Sequence, residues 1–102
     1  MKTLPKTLLH VTHIANLDSI LSNEIEARED EILIGIDERP GVNFSVTEPF
    51  FPYTPARYRC LVVNTDGLEP DKFVVYSKNH YRYLGSVPAR NIERVAEITE
   101  WD

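Results

Sequence analysis

Apolar and polar positions alternate with a period of two along most of this chain, and a helical spacing replaces that alternation only once. Leu8-Leu9-His10-Val11-Thr12 predicts a strand with Leu8, His10 and Thr12 on one face and Leu9 and Val11 on the other. Leu17, Ile20 and Leu21 then fall at i, i+3 and i+4, the spacing of a helix with one apolar face. Asn16 suits the start of that helix as a cap, and Asn23 suits its end because asparagine tolerates left-handed backbone. Residues 24–31 carry five carboxylates and Arg28, which predicts a solvated connector or an irregular further turn of helix. Ile32-Leu33-Ile34-Gly35-Ile36 is an apolar, strand-like run. A turn at Asp37-Glu38-Arg39-Pro40-Gly41 separates it from an alternating strand at Val42–Thr47.

Pro49, Pro52 and Pro55 rule out a regular helix or a central strand over residues 48–56, and Phe50, Phe51 and Tyr53 make that stretch a sticky, ordered loop. Arg57–Asn64 is the strongest strand, centred on Cys60-Leu61-Val62-Val63. Asp66-Gly67 makes a turn. Further strands are expected at Phe73–Tyr76, Tyr81–Leu84 and Arg94–Thr99, with a turn or single helical turn at Val87–Ile92. One helix, six or seven short strands, no internal repeat and no low-complexity linker predict a single small α+β domain over residues 1–102.

Composition fits that reading. With 42% hydrophobic and 26% charged residues the chain is globular in character, and 102 residues can bury a core without disulfides or a structural metal. Cys60 is the only cysteine, so no intramolecular disulfide is possible, and His10, His13 and His80 have no strong zinc spacing. No apolar run approaches the roughly 20 residues that span a bilayer, and Met1–Lys6 is not followed by the apolar run of a signal peptide, which predicts a cytoplasmic protein with no membrane partner. The net charge of −5 comes from residues 1–50, where nine acids face four basic side chains. Such acidity disfavours non-specific nucleic-acid binding. Arg57 to Arg94 is locally basic, with seven cations against four acids, and leaves room for a site that takes a phosphate-bearing ligand.

Two segments carry a resemblance. Leu9-His10-Val11-Thr12-His13-Ile14-Ala15-Asn16-Leu17-Asp18-Ser19-Ile20-Leu21 resembles the opening of the DarT-type DNA ADP-ribosyltransferases, a strand bearing His-x-Thr-His followed by Asn-Leu and a Ser-Ile-Leu helix. The tRNA 2'-phosphotransferases open similarly. Phe73–Asn79 through Val87-Pro88-Ala89-Arg90-Asn91-Ile92 is similar to the end of the same superfamily, a strand hairpin before a Val-Pro-x-x-x-Ile element. Asn43–Thr47 and Arg57–Val63 sit where those families place the strands between, so the resemblance loosely covers residues 8–95.

The resemblance implies a small ADP-ribosyltransferase-like fold with two short antiparallel or mixed sheets and one main N-terminal helix. It implies NAD as substrate, with His10, Thr12, Asn16 and Ser45 as ligand-binding residues and Arg57 or Arg59 as the catalytic arginine. A guanidinium beside a pyrophosphate gives bidentate, always-charged contacts. The late strand where most members carry a glutamate reads Asn79-His80-Tyr81-Arg82-Tyr83-Leu84 and has no acid. Three functions follow: an NAD-using transferase acting on a nucleic-acid base or a protein, a catalytically inactive relative that binds a nucleotide or a protein, and a 2'-phosphotransferase-like activity, which the acidity opposes. The acidic first half and the Pro-aromatic loop at 49–55 suit a protein partner.

Overall fold

The computed structural model describes residues 4–29, 39–49 and 54–101. Strand β1 (Thr7–His13) leads through a 3-10 turn at Ile14–Asn16 into helix α1 (Leu17–Ser22). Then come β2 (Glu24–Ile25), β3 (Val42–Phe44), β4 (Tyr58–Asn64), β5 (Phe73–Ser77), β6 (His80–Tyr83), β7 (Val87–Pro88) and β8 (Ile92–Glu97). The fold is a small α+β arrangement, mostly strand, with all ladders antiparallel. Among the described residues three sheets form rather than two: β1-β4-β8, β3-β6-β5, and the short pair β2-β7.

The Cys60–Val63 run of β4 is apolar throughout because β4 is the middle strand of its sheet and both its faces are covered. Leu61 and Val63 join Leu8, Ile20, Ile25, Val42, Phe44 and Val87 in the main core, on the side of α1 and the second sheet. Cys60 and Val62 face the other way and pack with Leu9, Ala96 and Ile98. After β8 the chain turns into a 3-10 segment, Ile98–Trp101, which lays Ile98 and Trp101 on this second cluster. Glu100 holds that segment by accepting from Arg94 at 3.0 Å and from the Glu97 N–H at 3.1 Å. Burial pushes the Cys60 thiol up to about 12, with Arg94 opposing and Glu100 adding to the shift, so Cys60 is an inert core residue.

Several sequence expectations change in detail. Asn16 does not cap the helix: its backbone is already helical and its side chain makes no cap bond. The cap falls earlier, where the Ala15 N–H donates to His13 Nδ1 at 3.0 Å, because the 3-10 turn starts the helical path at Ile14. Asn23 has φ −128°, not a left-handed value. Glu24 and Ile25 are strand rather than connector or helix, since Ile25 is buried and pairs with Val87. The predicted strand at Ile32–Ile36 and the aromatics Phe50, Phe51 and Tyr53 lie outside the described residues. The turn at Gly67 holds, with φ 82° there. Among the described residues no helix is long and apolar enough to cross a membrane.

Among the described residues the two larger sheets are joined by one backbone hydrogen-bonded pair. Leu9 and Ser45 exchange two N–H to carbonyl bonds, both 2.8 Å. The β5–β6 turn holds the chain just after this pair, because Asn79 Oδ1 accepts from the Val46 and Thr47 N–H groups at 2.8 and 2.9 Å. The ladder between β1 and β3 goes no further, and His10 occupies the place where the strands part.

Candidate functional site

A cavity of about 630 Å³ opens beside β1, walled by β1, α1, the segment running on from β2, and the start of β3. That volume lies within the range of small-molecule sites. His10, Thr12 and Asn16 all line it, so three of the six residues implied by the resemblance come together. The other three do not line it. Ser45 is buried in the β1–β3 contact, and its Oγ has no hydrogen-bond partner among the described residues. Arg57 is exposed, and its carbonyl accepts from the Ile14 N–H. Arg59 stands opposite Thr12 in the β1–β4 register, but its guanidinium donates to the carbonyls of Pro55 and Tyr58, both at 2.9 Å.

His10 is set by two neighbours. Its ring meets Phe44 edge-on at 5.8 Å, and its Nδ1 lies 2.8 Å from the Asn43 carbonyl. A carbonyl only accepts, so Nδ1 carries the proton. Burial lowers the His10 pKa from its ordinary 6.5, and the Asn43 bond only partly opposes this, so the ring is neutral at pH 7. Nε2 is then a lone-pair acceptor, with no hydrogen-bond partner among the described residues, at the wall of the cavity.

This burial has a pH signature. In the unfolded chain His10 titrates at its ordinary 6.5, and in the folded chain it titrates lower. Between those values only the unfolded chain binds the proton, so the stability is complete above pH 6.5 and is lost as the pH falls from there toward the folded value. Urea midpoints measured from about pH 8 down to about pH 5 are expected to fall less steeply in His10→Gln than in the parent chain.

Sequence reasoning missed two residues that hold the site, Asn43 and Arg82. Asn43 is the centre. Its carbonyl takes His10, while its Oδ1 accepts from Arg82 at 3.0 Å and lies 3.1 Å from His80 Nε2. Arg82 has no exposed surface. It donates to the Arg28 carbonyl at 2.7 Å and the Arg39 carbonyl at 2.9 Å, the two chain positions that flank the segment between β2 and β3. The signal was present in the alternation of β6, where Tyr81 and Tyr83 take the core face and His80 and Arg82 take the opposite one. What the alternation hides is that this opposite face is covered by chain rather than by water.

The cavity's charged side chains are mixed. Glu24, Glu26 and Glu29 stand on the wall after α1 with Arg28, which is 3.4 Å from Glu26 in an exposed pair of little energetic weight. Among the described residues no group of three His, Cys, Asp or Glu is placed to hold a metal ion. The arrangement can therefore orient a ligand through hydrogen bonds, above all through a fixed acceptor at His10 and carboxylate acceptors at the rim. The chain matches no protein-family model, no curated protein and no solved structure.

Proposed function

We propose that this chain is an ADP-ribosyltransferase-like protein that binds NAD or a related nucleotide in the cavity beside β1. The observation that carries the reading is the neutral His10 ring, whose free Nε2 offers an acceptor to a ribose hydroxyl from within the His-Val-Thr-His segment that resembles those families. Thr12 and Asn16 on the same wall add further polar groups. A transferase would carry ADP-ribose to a nucleic-acid base or a protein.

A second reading is supported by the placement of the arginines and by β6. Arg57 and Arg59 stand away from the cavity lining, and β6 offers His80, Tyr81, Arg82 and Tyr83 but no carboxylate to stabilise a cationic ribose. That favours a catalytically inactive relative serving as a nucleotide- or protein-binding regulator, a role that the acidic composition of the first half and the Pro-aromatic sequence at 49–55 also suit.

One experiment addresses both. NAD titrated into the protein is expected to raise the melting temperature, and His10→Ala is expected to weaken binding about tenfold, the cost of one lost hydrogen bond near 1.4 kcal/mol. Nicotinamide release would be followed in parallel with DNA, RNA and protein acceptors. Release with any acceptor favours the transferase, and binding without release favours the regulator. No thermal shift at saturating NAD, together with no release, removes the nucleotide reading.

A further inference from the structure

Resting on the reading of the cavity as a nucleotide site, we infer that it takes the ribonucleoside end of its ligand and keeps phosphate out. Among the described residues the lining is rich in acceptors, and its one buried guanidinium is already engaged. Arg82 is held by the Asn43 side chain and the carbonyls of Arg28 and Arg39. Arg28 is exposed and only weakly paired with Glu26, but it shares its wall with three carboxylates. His10 is an uncharged acceptor at Nε2, because its Nδ1 proton is committed to the Asn43 carbonyl. Among the described lining residues Glu24, Glu26 and Glu29 set three carboxylates against those two guanidiniums. Acceptors of this kind match the hydroxyls of a ribose and the exocyclic amine of a base, which are hydrogen-bond donors. The pyrophosphate of NAD brings only acceptors and negative charge, and a phosphate monoester is also anionic at pH 7. Either would face carboxylate repulsion, in a protein whose net charge is already −5.

The cavity therefore differs from a phosphate cradle, which presents free guanidinium forks or backbone N–H groups to the ligand. For NAD the inference places one nucleoside inside and the pyrophosphate in solvent. The carboxylates select against phosphate and His10 positions the sugar.

Calorimetric titration of the parent chain with adenosine, AMP, ADP-ribose and inorganic phosphate tests this. Adenosine is expected to bind at least as tightly as AMP, and phosphate at millimolar concentration is expected not to compete. In Glu24→Gln/Glu26→Gln/Glu29→Gln, all exposed positions, the affinity for AMP is expected to rise several-fold relative to adenosine. Raising the ionic strength should narrow the same difference in the parent chain by screening the repulsion. AMP binding tenfold or more tightly than adenosine, or displacement of adenosine by phosphate, would overturn the inference while leaving the nucleotide reading in place. Failure of NAD and every nucleoside to bind would remove both. Equal phosphate discrimination in the parent and the triple variant would overturn the role of the carboxylates.

Discussion

Arg82→Ala is expected to destabilise the protein by about 3–5 kcal/mol, read as a lowered urea midpoint with little change in slope. Arg82 has no exposed surface, and its guanidinium joins Asn43 Oδ1, the Arg28 carbonyl and the Arg39 carbonyl. Two of those acceptors are main chain, so no second substitution can delete them along with the arginine. Truncation leaves them in a site that held the guanidinium, and each buried acceptor that loses its donor costs about 1–3 kcal/mol. Arg82→Met keeps much of the volume but none of the donors, so it should recover only the packing part of the loss. Arg82→Lys should recover part of the rest, since an ammonium cannot reproduce a planar fork that reaches three oxygens. If Arg82→Met were as stable as the parent, the guanidinium would be filling space and not stapling the chain.

Gly41→Ala is expected to cost about 1–3 kcal/mol, by overpacking. A Cβ at Gly41 would lie 2.7 Å from the Tyr83 carbonyl and 3.0 Å from Arg82 Nε. The first neighbour is main chain of the central strand β6 and cannot swing aside. Gly41 also exchanges backbone hydrogen bonds with Arg28, at 2.9 Å in each direction, so any retreat strains the same segment that Arg82 holds. The two substitutions share a neighbour, so their effects should not add, and a double-mutant cycle would measure the coupling. A stability equal to the parent's would mean that the segment at 39–41 relaxes freely away from β6.

Gly41 also shows how far local pattern carries. Pro40-Gly41 reads as a turn, and Pro-Gly is a sound turn signal. In the fold Gly41 is needed for a close approach instead: it is buried, and it bridges to Arg28 against the face of β6. Nothing in the dipeptide distinguishes those two uses, because the second depends on a strand forty residues later in the chain order. Asn16 is a similar case. Its composition suits a cap, yet His13 takes that role once a 3-10 turn begins the helical path early, and Asn16 lines the cavity instead. The catalytic arginines implied by the resemblance also illustrate the limit. Arg59 shares a register position with Thr12, but its side chain folds back onto the carbonyls of Pro55 and Tyr58. Register is a backbone property, and a long flexible side chain is free to leave the face it starts from.

The sequence by itself determined the strands at β1, β4, β5 and β6, the helix after β1, the turn at Gly67 and the α+β character. Those features depend on period-two alternation, on an i, i+3, i+4 stripe and on the backbone freedom of glycine, all of which act within a few residues. It also singled out His10, Thr12 and Asn16, which share one cavity wall. Only the tertiary structure decided what His10 is. Its proton is placed by the carbonyl of Asn43, and Asn43 is held by Arg82 from a third strand. A carbonyl belongs to every residue and leaves no mark in the sequence, so its position is settled only when β1, β3 and β6 meet in register.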